Sequence, residues 1–271
     1  MRQNGVPSVR RSSVAVLLAL LATAAGGAAQ AANPVATTPA EGVVGQALNA
    51  VAGRTTLGLA GPLQVPARQY GYLTARSQAV PSTYVVFVID TTEPVGVNSP
   101  RINHELTKAP DVANFSAMRL RQAQPAMGAP NYLTALAQHN PEYVDWPAAA
   151  VASGYPNLGL GIHGVVYKYH GRTVLDWPEG DWTVQISGGS LRREERAAHP
   201  VVGYLHRYFL PPHPGIFAVH LMRTTGSLTT ITWVDWMNGH VLNYVTDPTP
   251  ATDNAVATGA MAVFWHVFRP A

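Results

Sequence analysis

Alternation between apolar and polar positions is weak in the first third of the chain and regular in the last. From Leu158 onward it predicts strands at Gly161 to Tyr169, Arg172 to Trp177 and Trp182 to Ser187, joined by His170-Gly171 and Pro178-Glu179-Gly180-Asp181. With Trp177 opposite Trp182, Leu175 faces Val184 and Thr173 faces Ile186. Asp176, Thr183 and Gln185 then lie on the other face of a half-buried antiparallel sheet. Ser190 is placed to cap a helix running to Phe209, which Pro200 should kink or restart because proline lacks a backbone donor.

The order then repeats. Strands are expected at Ile216 to Met222, Leu228 to Asp235 and His240 to Thr246, with Asn238-Gly239 as the hairpin turn. Thr252 or Asp253 would cap a final helix over Ala255 to Phe268, apolar nearly all round and therefore buried on the sheet. The segment Leu175-Asp-Trp-Pro-Glu-Gly-Asp-Trp182 shares its frame with Val234-Asp-Trp-Met-Asn-Gly-His-Val241. The expectation is an α+β fold with a possible duplicated βββα unit, a six-stranded antiparallel sheet carrying two helices.

Upstream the signals thin out. The Ala-, Gly-, Thr- and Pro-rich stretch from Asn33 to Pro81 reads as a mobile arm or loosely packed segment, with a short helix possible over Val43 to Val51. Thr83 to Ile89 is β-branched and aromatic, a strand stopped by Asp90-Thr-Thr-Glu-Pro94. Prolines make Val95 to Ala129 read as irregular. Asn131 would cap a helix over Tyr132 to His139, and a second, Ala-rich helix is expected around Pro147 to Ala152.

The N-terminus adds an address. Arg2, Arg10 and Arg11 precede the apolar run Val14 to Ala25, which is too short for a span of roughly 20 residues, and Ala29-Gln30-Ala31 is an A-x-A cleavage site. The expected division is a signal peptide at 1–31, a loosely packed segment at 32–81, a strand with irregular and helical parts at 82–157, and the repeated unit at 158–271. The product would be secreted, extracellular or on the envelope exterior, with no integral span after cleavage. Removing residues 1–31 takes three of eighteen basic residues and none of the fifteen acidic ones, so the mature chain is balanced. That balance lacks the positive field on which nucleic-acid affinity depends, so no nucleic-acid partner is expected. There is no cysteine, which excludes disulfides, thiolate nucleophiles and thiolate metal ligands.

The ending of the chain, with Trp233 before the turn, Tyr244 after it and Ala260-Met-Ala-Val263 in the helix, resembles the C-terminal modules of secreted or membrane-tethered Gram-positive envelope proteins with a LolA-like sheet. The resemblance covers roughly the last quarter and rests on an aromatic hairpin before an apolar helix. It implies a curved sheet able to shelter an acyl chain or a docking peptide. The chain departs from that family in having no lipidation cysteine and in its βββα repeat, so no ligand residues carry over.

Candidate chemistry is sparse. His199, His206, His213 and His220 recur every seventh residue, but the interval crosses a helix, a proline loop and a strand, so it has no single geometric meaning and no metal is expected. Asp176, Glu179 and Asp181 read as turn chemistry, as do Asp235, Asn238 and His240 in the second copy. Glu142 with Asp145, or Asp90 with Glu93, could form a carboxylate pair. No nucleophile elbow, phosphate loop or dinucleotide fingerprint is present, so no catalytic residue and no cofactor are assigned. Among six tryptophans, Trp177, Trp182 and Trp236 could stack on a sugar or grip an apolar ligand, or could fill the core; with His206 they are the candidate ligand-binding residues. The leading expectation is a secreted non-catalytic domain that binds an apolar, glycan or protein ligand. The alternative is an exported hydrolase with a dispersed His and carboxylate site.

Overall fold

A computed structural model describes residues 37–67, 70–105, 111–120, 136, 138–141, 143, 151–169, 171–224, 227–248 and 254–269. Residues 32–271 form one compact unit. Its centre is a single sheet of ten strands: β1 (Tyr72–Val80), β2 (Thr83–Thr91), β3 (Asp111–Arg119), β4 (Val151–Gly154), β5 (Val165–Tyr169), β6 (Arg172–Glu179), β7 (Trp182–Ser187), β8 (Gly215–Thr224), β9 (Ser227–Asn238) and β10 (Val241–Asp247). They lie side by side in the order β1-β2-β3-β10-β9-β8-β7-β6-β5-β4. Strand outweighs helix, 49% against 22%, so the molecule is mainly β with helices laid on an antiparallel-dominated sheet.

Three helices, α1 (Glu41–Asn49), α2 (Leu191–Leu205) and α3 (Ala255–Val263), share one core. Val44 and Leu48 of α1, Ala198 and Val202 of α2, and Ala260 and Met261 of α3 pack with Val86, Phe115, Val184, Phe217, Val234 and Val245 of the sheet. The pleat puts alternate residues of each strand on this face. The other face carries a smaller apolar patch of Ile216, Ala218, Met237 and Leu242 under Leu136. Among the described residues no helix is long and apolar enough to cross a membrane.

The strand-strand-strand-helix order occurs twice, from β5 to α2 and from β8 to α3. Three details differ from expectation. The sheet is larger than six strands, because the N-terminal meander β1-β2-β3 joins it alongside β10 and β4 joins it alongside β5. One pairing, β7 with β8, is parallel. The connection through α2 returns the chain to the end from which β7 started, which a hairpin cannot do. The first hairpin is also two residues tighter than drawn from sequence: Glu179 faces Trp182, so Trp177 faces Val184 and Leu175 faces Ile186. A two-residue shift keeps each side chain on its face, which is why the burial pattern survives.

The two D-W-x-x-G hairpins close alike. Their loops are Gly180-Asp181 and Gly239-His240, the latter one residue later than the expected Asn238-Gly239. Each glycine stands first in its loop with φ of 61° and 59°, the left-handed backbone that a tight hairpin of this kind needs. Asp235 is therefore not a turn residue but lies inside β9.

Other local readings change for physical reasons. The stretch 95–129 contains β3, whose Val112, Ala113, Phe115 and Ala117 are buried in mid-sheet. The prolines flank this strand instead of interrupting it. The segment from Asn33 to Pro81, expected to be loose, supplies α1, the edge strand β1 and a pairing of Thr37–Pro39 with Gln64–Pro66. Val151–Gly154 is a strand where an Ala-rich helix was expected, and the start of that helix at 147–150 lies outside the described residues. Leu136, Gln138 and His139 are helical, while most of the helix expected over Tyr132 to His139 lies outside the description. Pro200 sits within α2 without ending it. The last helix stops at Val263, capped by Asn254 through bonds from the Val256 and Ala257 amides, because Trp265–Val267 pairs instead with Ala60–Pro62. The signal expected at 1–31 lies outside the described residues.

The outer edge of β1 is plugged. Asn98 donates its backbone N–H to Ala75, accepts the Ser77 N–H on its side-chain oxygen at 2.7 Å, and donates its amide to Ser77 Oγ at 3.0 Å. These bonds occupy groups that would otherwise template another strand.

Candidate ligand cleft

The end of the sheet carrying the second hairpin opens into a cleft of about 530 Å³. Its floor and walls are Trp236, Asn238, Val241 and Asn243 from β9 and β10, Ala262 and Val263 from α3, Trp265 and Val267 from the last strand, and Leu210, Pro211 and Pro212 from the loop after α2. Phe209 at 87% exposure and Val267 at 67% stand on its rim. Its few polar groups include the amides of Asn238 and Asn243 and the ring of His213. A mostly apolar concavity of this size with a few polar groups is the usual form of a small-molecule site.

The back of the cleft is a rigid aromatic stack. Trp236 meets Trp265 edge-on at 4.8 Å and lies 6.2 Å from Trp182, while Trp265 meets Phe115 edge-on at 5.8 Å. Gly215 stands between Trp182 and Trp236 in the sheet register, and a Cβ there would run into the Trp182 ring. The Trp182 indole N–H donates to the Pro211 carbonyl at 3.0 Å, tying the proline loop to the sheet. The cleft wall is thus fixed by packing and one hydrogen bond.

The four residues singled out from sequence separate here. Trp177, Trp182 and Trp236 are 1%, 4% and 1% exposed, so they form no exposed aromatic row. Their alternation places them on the helix-covered face, where the core claims them. Trp236 reaches the cleft and Trp182 stands behind it. His206, exposed at the C-terminal end of α2, acts on the first hairpin instead. Burial pushes the Glu179 carboxyl above its ordinary range, and His206 opposes that shift. Sequence reading did not single out Pro211, Val263 or Val267 and held Trp265 only among the six tryptophans; they come from two separated segments, the proline loop and residues 263–267.

Other polar constellations are set away from the cleft. Asp235 is fully buried and accepts the Trp233 indole N–H at 2.6 Å. Desolvation holds its carboxyl well above the ordinary range, with hydrogen bonds from Trp233 and Asn140 working the other way. Trp233 stacks on Tyr244 at 4.8 Å beside it. Ser187 Oγ lies 2.9 Å from His220 Nδ1 between the parallel strands β7 and β8, with Ser187 only 2% exposed. His199 Nδ1 is 2.9 Å from the Leu158 carbonyl. Asp90 accepts the Tyr70 amide, and Glu93 pairs on the surface with Arg101 at 2.9 Å, while Glu142 and Asp145 lie outside the described residues. Among the described residues no three His, Asp or Glu side chains are grouped to hold a metal ion.

No protein-family model matches the chain, and neither a curated protein nor a solved structure matches it.

Proposed function

We propose that this chain is an exported, non-catalytic binding domain whose ligand enters the cleft beside Trp236 and Trp265. The observation that carries the reading is the cleft itself: about 530 Å³ with predominantly apolar walls, a hydrogen-bonded proline loop and two rim residues, Phe209 and Val267, left open to solvent. Exposed apolar side chains around a formed concavity mark a binding surface more often than an accident of packing. The two βββα halves are best explained as a duplication, supported by matching hairpin glycines and by Trp177 and Trp236, each 1% exposed at corresponding positions. The second hairpin then became a cleft wall while the first remained scaffold.

Titration with N-phenyl-1-naphthylamine, an uncharged apolar dye, tests the reading. The dye should brighten on binding, and Val267→Glu should abolish the signal without altering the far-ultraviolet spectrum, since Val267 is a rim residue. Absence of dye binding by the wild-type protein would sink the cleft as a site.

The contact of Ser187 with His220 favours a hydrolase as the second reading, since it joins a hydroxyl to an imidazole. Its burial argues for a strand-to-strand tie. Labelling by a fluorophosphonate that is lost in Ser187→Ala would reverse the order of the two readings.

A further inference from the structure

A second cavity, of about 880 Å³, wraps the rim of the sheet next to the cleft, and Val241 lines both. Its described lining combines Arg119, His139 and His240 with the hydroxyls of Ser82 and Thr83 and the apolar side chains of Met118 and Leu120. No carboxylate is among those residues. Arg119 and Val241 are partners in the β3–β10 register, so their Cα atoms are about 5 Å apart and their side chains leave the same face. That face is also the one bearing Asn243 and Trp236, which pair with each other across β9 and β10 and line the cleft.

The platform under these groups is held by backbone bonds: the Arg119 N–H donates to Ser82 at 2.7 Å and the Leu120 N–H to His240 at 3.0 Å. The Arg119 guanidinium is exposed, and its Nη2 lies 3.5 Å from the Thr56 carbonyl, which the Pro81 turn holds through the Thr56 N–H. That long contact uses one of five donors, leaving the others for an anion. The apolar cleft thus adjoins a rim whose described residues carry one guanidinium and no carboxylate.

We infer that the two cavities form one site for a single-chain amphiphile with an anionic head group, its chain in the cleft and its head on Arg119 and His240. The inference rests on the cleft being the binding site and adds the ligand's chemical class. Displacement of bound N-phenyl-1-naphthylamine by dodecanoate and by its uncharged methyl ester tests the two separately. Dodecanoate should displace the dye at about tenfold lower concentration than the ester, the scale of one charge-assisted hydrogen bond. Arg119→Gln should bring the two to parity, and His240→Ala should narrow the gap. Equal displacement by acid and ester in the wild type, with the dye still bound, would overturn this inference and leave the cleft reading standing. Failure of the dye to bind would remove both. Co-sedimentation of the protein with phosphatidylglycerol vesicles that is lost in Arg119→Gln would assign the rim to a membrane surface and also overturn it.

Discussion

Replacing Glu194 with Gln isolates the effect of one buried acid on stability. Glu194 is 0% exposed near the start of α2, its Oε1 accepts the Gly189 N–H at 3.2 Å, and its Oε2 has no partner among the described residues. Desolvation raises the carboxyl from 4.5 to about 8; the Gly189 bond opposes the shift, and Asp176 and Glu195 add to it. The folded protein therefore keeps this proton across a range in which the unfolded chain gives it up. Stability from this group is complete below pH 4.5, falls by about 1.4 kcal/mol per unit as pH rises, and stops falling above pH 8, a total on the order of 5 kcal/mol. Glutamine mimics the protonated acid at every pH. Urea denaturation of both proteins at pH 4, 6.5 and 8.5 should show near-equal stability at the first. The variant should be favoured by about 3 kcal/mol at the second and by more at the third. Because both proteins retain Asp235 and every other acid, their difference reports Glu194 together with its coupling to Asp176 and Glu195. A difference that stays constant from pH 4 to 8.5 would refute the reasoning.

Three further outcomes follow from single contacts and a fourth from the N-terminal sequence. Gly215→Ala should cost about 2 kcal/mol or more, because the new methyl must displace the Trp182 ring from its place behind Trp236; thermal unfolding and dye binding both read it. Asp235→Ala should cost about 1–3 kcal/mol by leaving the Trp233 indole N–H unpaired, whereas Asp235→Asn, which keeps an acceptor, should cost much less; chemical denaturation separates the two. Asn98→Gly keeps the left-handed backbone at φ 58° but removes the two side-chain bonds that cover Ser77 on the edge of β1, and light scattering should then show concentration-dependent association. If residues 1–31 are an export signal, N-terminal sequencing of protein recovered from the culture medium should begin at Ala32.

The strands that could be read from the chain are those whose burial is decided locally. In β6 and β7 the alternation of Leu175, Trp177, Val184 and Ile186 with polar residues reports the pleat directly, and the hairpin glycines report the reversal. β3 was hidden because Asp111–Arg119 mixes Asn114 and Ser116 with Phe115 and Ala117. Such a strand is held by neighbours on both sides more than by its own propensity. The final helix read too long for a related reason: Trp265–Val267 continues the apolar pattern, but its backbone finds a partner in Ala60–Pro62, remote in sequence. For the site, tryptophan content pointed to Trp236, while pairing with Trp265 and with the proline loop required segments brought together only by folding.

By itself the sequence determined the absence of thiol chemistry through its composition, and the period-two rhythm of the C-terminal half, the two glycine hairpins and the helices that follow them, because each of these is a property of adjacent residues and their backbone preferences. Tertiary structure decided that the N-terminal meander completes the sheet beside β10, that β7 and β8 run parallel, and that three tryptophans of similar local context end as two core residues and one cleft wall. Strand order and burial depend on contacts between distant segments, whose free energies add only once the chain has closed on itself.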